Sequence, residues 1–409
     1  MNVLTIGSDR NLFKEGSAVR QRVVEYGRLF DELHIIVFTP KVLSLHPPER
    51  LKTVVSRAGA TRYTLSENVW IYPTNSFSRW FYIWDAIHIG MKLIQDSKFR
   101  IQDGSSKKNK LTTNNWLIDS QDPFECGFAA SRIARRLNLP LHVQIHTDFL
   151  SPYFARGSFL NRIRILIANF VLPKASGIRV VSQRIKDSLL NATRYTLHAV
   201  PVVLPIFTDV EKLRETPITI NLHKKYPQFE KIILIVSRLS PEKNISFAID
   251  VMREILKRYP KAGLIVVGEG SELSSLKLKV KSYRLEASVA FEGWQNNLSS
   301  YYKSADIFLH TSIYDGFGLA ILESVVCGLP TVSSDVGIAP ELLNHKGHSF
   351  ICPVNDLACF VSIVSKLIED SLLRTFFYTK ITPAAVLKFN QSKKGYLEAY
   401  RASIESSQP

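Results

Sequence analysis

Asp315 and Glu323 stand eight residues apart in IYDGFGLAILESVVCGLPTV, with the loop Gly316-Phe317-Gly318 between them and an apolar run of helical spacing behind. Glycine lets a backbone approach a ligand closely. The first turn of a helix adds unpaired N–H groups and the positive end of its dipole, so this loop is suited to an anion such as phosphate. A carboxylate does not favour phosphate. It accepts hydrogen bonds from hydroxyls, as acidic residues do with the ribose of a dinucleotide. A diphosphate with a sugar at each end matches the pattern, although an ordinary strand-to-helix turn with a solvated glutamate would read the same in isolation.

A second stretch, SRLSPEKN at 237–244, puts Arg238 and Lys243 after the strand-like run IILIV, at the carboxyl end where parallel α/β sheets bind ligands. Two cations there can neutralise a diphosphate leaving group. In QIHTDF, His146 and Asp148 follow the run LHVQI in the same way. A hydrogen-bonded structural histidine would fit His146 equally well.

These residues need a scaffold of strands whose carboxyl ends face one cleft. VLTIG, a loop ending in Gly16, a helix over 17–30 and HIIVF make a β-loop-α-β unit; LHVQIH and GIRVVS continue it. VPVVLPIFTD at 200–209 suits a linker. A second series follows, with strands IILIV, LIVVG, SVAFEG, IFLH and TVSS alternating with helices; the helix over 245–258 takes Asn244 as its cap. The fold class is α/β, with two Rossmann-like domains whose parallel sheets face a cleft. The expected domains are 1–205 and 206–392, a last amphipathic helix at about 393–409 rejoining the first.

The chain has 409 residues and is 45% apolar, enough for two cores. No apolar run reaches the length of about eighteen residues that a membrane span needs, and the opening MNVLTIGSDR reads as a first strand. Cys126, Cys327, Cys352 and Cys359 show no C-x-x-C spacing, so neither a zinc site nor a disulfide framework is expected, and a cytoplasmic setting is the default. A net charge of +16 points to an anionic partner. SSKKNK at 105–110 adds a basic loop. Nucleic acid is disfavoured because no helix-turn-helix, zinc or RNP-like motif is present. FSRWFYIWDAIHIGMKLI at 77–94 and YFARGSFLNRIRILIANFVL at 153–172 mix aromatic and basic residues, as at an anionic bilayer surface, although core helices with solvated arginines would look alike.

In this order, SRLSPEKN, VVGEGSE with Gly268, FEGWQNNLSSYYKSADIFLHTS, YDGFGL…E…G-L-P and SDVGIAPELL resemble the C-terminal half of glycosyltransferase family 4, in the GT-B superfamily. The resemblance implies transfer of a hexose-type sugar from a UDP- or GDP-sugar co-substrate, with retention of configuration and no required cofactor or metal. It implies that Arg238 and Lys243 bind the diphosphate, Glu323 the ribose, Asp315 the donor sugar, and the amides of Phe317, Gly318 and Leu319 the phosphate and sugar. Gly16 then approaches the diphosphate, His146 contacts the donor sugar and Asp148 orients the acceptor. The absence of D-x-D agrees with Arg and Lys filling a metal's role.

The chain departs from the family pattern at three points. Asp315 stands where Glu is usual, VPVVLP replaces the interdomain N-G-V, and the N-terminal paired glycines are reduced to Gly7 and Gly16. The implied partners are a nucleotide sugar and a glycan or lipid-linked acceptor in cell-surface polysaccharide or glycolipid synthesis, with peripheral contact at the inner face of the membrane. A sugar-nucleotide epimerase-like enzyme or a catalytically silent binding protein would present a similar fold and phosphate site. A Rossmann oxidoreductase is disfavoured because no G-x-G-x-x-G follows the first strand.

Overall fold

The structure is a computed structural model that describes residues 1–41, 52–55, 61–102, 115–192, 196–345 and 348–408. The basic loop 105–110 lies outside the described residues. Two sheets carry the fold. The first holds β1 (Asn2–Gly7), β2 (Glu32–Val37), β3 (Lys52–Val55), β4 (Thr61–Ser66), β5 (Val69–Pro73), β6 (Trp116–Ser120), β7 (Leu141–Ile145), β8 (Gly177–Val180) and β9 (Val202–Val203), in the order β3-β4-β5-β2-β1-β6-β7-β8-β9. It is parallel from β5 to β9; at the other edge β4 runs antiparallel to both β3 and β5. β9 lies inside the stretch that reads as a linker in sequence. Two valines are too short a run to signal a strand, and they pair only because β8 offers an open edge.

The second sheet holds β10 (Lys231–Val236), β11 (Ala262–Val267), β12 (Val289–Gly293), β13 (Ile307–His310), β14 (Thr331–Ser334) and, after a small β15 (Asn344–His345) and β16 (His348–Ser349) ribbon, β17 (Ile351–Cys352). Its order is β12-β11-β10-β13-β14-β17 and it is parallel throughout. β1, β6, β7 and β11 are buried along their whole length, as near-continuous apolar strands covered on both faces must be.

The first sheet is served by α1 (Ala18–Gly27), α2 (Tyr82–Gln102), α3 (Glu125–Leu137), α4 (Pro152–Gly157), α5 (Phe159–Val171) and α6 (Gln183–Asn191). α7 (Val210–Glu215) and α8 (Leu222–Lys225) lead into the second sheet. There α9 (Ile245–Arg258), α10 (Leu273–Ser282), α11 (Leu298–Ser304), α12 (Leu319–Val326), α13 (Ala339–Leu343) and α14 (Leu357–Glu369) follow, and α15 (Ser371–Phe376), α16 (Thr382–Phe389) and α17 (Lys393–Glu405) close the chain. Asn244 does not cap α9: it adopts a left-handed conformation and its side chain donates to Asn355 at 2.7 Å instead. Ser17 does cap α1 through Arg20 N–H.

α17 returns to the first sheet, where Tyr396, Tyr400 and Ile404 join the core formed by β1, β2 and α1. Tyr400 stacks on Tyr26 at 4.2 Å. Beneath it runs a buried polar network: Asp119 accepts from Gln144 and pairs with His142 at 2.8 Å, and Arg179 donates to Gln144, Leu204 O, Pro205 O and Tyr396. One expectation from cysteine spacing is corrected. Cys352 and Cys359 are paired, because β17 and the first turn of α14 lie side by side, which no spacing motif encodes.

Candidate functional site

Asp315 sits in the loop between β13 and α12, and Lys243 closes the short turn between β10 and α9. β10 and β13 are adjacent in the sheet, so their following loops meet at its carboxyl edge. There Lys243 Nζ donates to Asp315 Oδ2 at 2.6 Å, both side chains being largely buried. His310, at the end of β13, brings Nε2 to 3.5 Å from the same oxygen. Burial opposes ionisation of Asp315, but His310 and the Lys243 ammonium outweigh it and hold the carboxyl well below its usual range. Burial lowers the pKa of His310, against the pull of the Asp315 carboxylate.

The loop after Asp315 is built for close approach. Gly318 precedes α12 at φ 88°, and no side chain caps that helix; Ile321 N–H donates to Gly318 O at 2.9 Å, which leaves the amides of Leu319 and Ala320 without a capping partner among the described residues. A Cβ on Gly316 would lie 1.9 Å from His146 O, so the backbones of the two halves touch here. Ser182 Oγ donates to Gly316 O at 2.7 Å across the same junction. Phe154 of α4 packs edge-on to Tyr314 at 5.5 Å.

Glu323, on the second turn of α12, accepts from the Tyr302 hydroxyl at 2.8 Å. Burial raises its pKa, against the effect of that bond. Arg238 is three-quarters exposed and donates to Glu242 at 3.2 Å. Gly268 is at φ 129°, where a Cβ would collide with Ser237 O, so the turns after β11 and β10 abut. Phe317 is buried, with its ring in the core against Phe389 and its carbonyl accepting from Ile338 N–H at 2.8 Å.

On the other wall, His146 follows β7. Burial, then the charge of Arg179, pushes its imidazole down to about 3, so it is neutral at physiological pH, and its buried Nε2 has no partner. It lines a cavity of about 280 Å³ with Arg22, Tyr26, Gln144, Arg179 and Tyr396. Asp148 is 7% exposed, with a pKa raised by burial against the pull of Arg184. Gly16, at φ 71°, has open space beside it before the cap of α1. A separate cavity of about 400 Å³ lies at the crossing segments, lined by Pro205, Phe207, Phe317 and Phe389, with Glu341 and Lys388 also on its wall.

The structure thus brings Lys243, Asp315 and the His146 backbone to one point, with Arg238 at the rim and Glu323 further along α12. His310, Tyr302 and Ser182 are additions. His310 had a signal in sequence, the last residue of the run IFLH at a carboxyl end; Tyr302 and Ser182 had none, since their partners are distant in the chain.

Residues 221–381 match the profile of the family Glycosyl transferases group 1. The chain is 29% identical over 242 residues to the alpha-monoglucosyldiacylglycerol synthase of Streptococcus pneumoniae, a match covering 56% of this chain and 54% of that one. It is 23% identical to the N-acetyl-alpha-D-glucosaminyl L-malate synthase of Bacillus anthracis, covering 65% of this chain and 75% of that one. The match with the pneumococcal relative thus spans about half of that protein's length. Among solved structures, Anabaena HepE in complex with UDP and glucose superimposes with a TM-score of 0.69 over 99% of this chain and 100% of that one, at 18% identity. The two-sheet architecture is the GT-B fold, and residues 221–381 are similar to the glycosyl transferases group 1 family.

Proposed function

We propose that the chain is a retaining glycosyltransferase that moves a hexose-type sugar from a nucleotide-diphosphate sugar to a glycan or lipid-linked acceptor in polysaccharide or glycolipid synthesis. It works at the inner face of the membrane and needs no metal. The observation that carries this reading is the Lys243–Asp315 pair, held in a loop that touches the His146 backbone across the cleft. Lys243 has three ammonium protons and gives one to Asp315, so two remain for a diphosphate. The pair is neutral as a unit. Net positive charge for the leaving group then comes from Arg238 and from the uncapped start of α12.

Asp315, ionised at neutral pH, accepts hydroxyls of the donor sugar, and Glu323 those of the ribose. His146, neutral, donates or accepts towards the sugar without adding charge. In the transfer the bond from the anomeric carbon to the phosphate oxygen breaks and the bond to the acceptor oxygen forms on the same face. The acceptor proton passes to the departing phosphate oxygen, which Lys243 and Arg238 stabilise. HepE with bound UDP and glucose supports a uridine donor.

Calorimetric titration with UDP, GDP and ADP in the presence of EDTA tests the reading. One nucleotide is expected to bind, with affinity reduced about tenfold or more in Glu323→Ala, the cost of a lost charged hydrogen bond. Equal indifference to all three nucleotides would overturn it. Binding without transfer to any acceptor would instead favour a silent binding protein.

A further inference from the structure

Among the described residues, one face of the first domain is covered by neither sheet nor helix. α5 buries Asn161, Ala168 and Val171 but turns Phe159, Ile163, Leu166 and Phe170 outward at helical spacing; Phe159 is 76% and Leu166 67% exposed. A surface helix of a globular domain normally shows polar residues on that side. A second group, Phe77, Trp80, Phe81 and Trp84, stands out at the start of α2, with Trp80 88% exposed. Exposed apolar residues gathered on one face mark an interaction surface.

The two groups share one layer. α3 lies between α2 and α5: a Cβ on Gly90 of α2 would meet Ile133 of α3 at 2.6 Å, and Arg164 of α5 pairs with Glu125 of α3 at 3.0 Å. Counting back eight residues from the Gly90–Ile133 contact along α2 and α3, which run in the same direction, puts Tyr82, beside Trp80 and Trp84, level with Glu125 and therefore with Arg164. Two helix spacings separate the groups by roughly 20 Å.

The charge around them has one sign. No acidic residue occurs between Asp148 and Asp187, while Arg156 and Arg162 flank the α5 stripe and are exposed. Arg132, Arg135 and Arg136 occupy the outer side of α3; Arg132 lies over Phe170 at 5.7 Å, and Lys174 over the same ring at 3.3 Å. Among the described residues, the acidic ones near the face are Glu125, neutralised by Arg164, Asp85, half-buried, and Asp122, which accepts from the Phe124 and Cys126 amides at the start of α3. Arginines interleaved with outward tryptophan, phenylalanine and leucine fit an anionic bilayer, where rings enter the headgroup region and guanidinium groups meet phosphates.

We infer that the face formed by the start of α2, α3 and α5 docks this protein on an anionic lipid surface. α4, which leads into α5, reaches Tyr314 beside Asp315, so the docked face adjoins the mouth of the cleft. A lipid-linked acceptor could then enter from the bilayer. That last step rests on the proposed transfer reaction; the docking itself does not.

The test is sedimentation with vesicles of equal parts phosphatidylglycerol and phosphatidylcholine, against phosphatidylcholine alone. The wild-type protein is expected to sediment with the anionic vesicles and to be released by high salt. Leu166→Glu, Trp80→Ser with Trp84→Ser, and Arg156→Ala with Arg162→Ala should each weaken binding about tenfold or more. All five sites are solvent-exposed, so melting temperatures should hold. Wild-type protein left in the supernatant, or variants that sediment as it does, would overturn the proposal. So would light scattering that shows a dimer dissolved by Leu166→Glu, which would assign the face to a second copy of the chain. Nucleotide titration on the same proteins separates the two readings: UDP binding without vesicle binding sinks the docking surface and the placement at the membrane but leaves the transfer reaction standing, and the reverse sinks only the transfer reaction.

Discussion

Lys243 and Asp315 form a largely buried pair, and removing one partner strands the other. Lys243→Met should cost about 3 kcal/mol of stability at neutral pH, the usual penalty for an uncompensated buried charge, and should abolish transfer. Asp315, held below its ordinary range, contributes stability present above its unfolded pKa of about 4 and lost only as pH falls through its depressed folded value. In the variant the carboxyl titrates higher, so the stability gap measured by urea unfolding should narrow from pH 7 towards pH 4. Glu323 has the opposite sign: burial raises its pKa. If its charged form accepts the ribose hydroxyls, nucleotide affinity should fall on acidification before an ordinary glutamate would protonate. Glu323→Gln should bind weakly with little pH dependence over the same interval. Both residues could be picked from their spacing around GFG. That Lys243 answers to Asp315, and Glu323 to Tyr302, could not.

At the scale of elements, the loop from Asp315 to Gly318 sets how closely the two sheets approach. Gly316 is required by contact with the carbonyl of His146, since it is not among the residues at positive φ. Gly316→Ala should therefore push that loop away from the end of β7 while leaving each sheet folded. The expected result is nucleotide binding within about twofold of wild type and transfer reduced about a hundredfold, as for other small misplacements of reacting groups. Unchanged turnover would show that this contact does not set the reacting geometry. Strands β1, β2, β7, β8 and β10 to β14 were readable from their apolar runs, because a strand buried on both faces needs little else; β5, β6 and β17 were missed. β9 and the β3–β4 edge were not, since short edge strands are defined by the neighbour they find.

Across the whole molecule, Arg179 ties four parts together: β8 itself, β7 through Gln144, the crossing segment through the carbonyls of Leu204 and Pro205, and α17 through Tyr396. It is 3% exposed. Arg179→Met leaves those acceptors unpaired and should lower stability by about 3 kcal/mol or more, from lost hydrogen bonds to a charged group. Because the second sheet does not depend on it, thermal unfolding is expected to separate into two steps, the earlier one belonging to the first domain. A single transition at the wild-type temperature would contradict that role.

The sequence by itself determined the alternation of strands and helices, the placement of Arg238, Lys243, His146 and Asp315 at carboxyl ends of strands, and the glycines that let a loop approach a ligand. Those are local properties, written in periodicity and residue type over a few positions. Tertiary structure alone decided which charges meet, that Cys352 pairs with Cys359, and that the aromatic side chains of α2 and α5 face outward. An apolar stripe has the same spacing whether it packs inward or outward. Only the positions of the neighbouring helices settle which side is already filled.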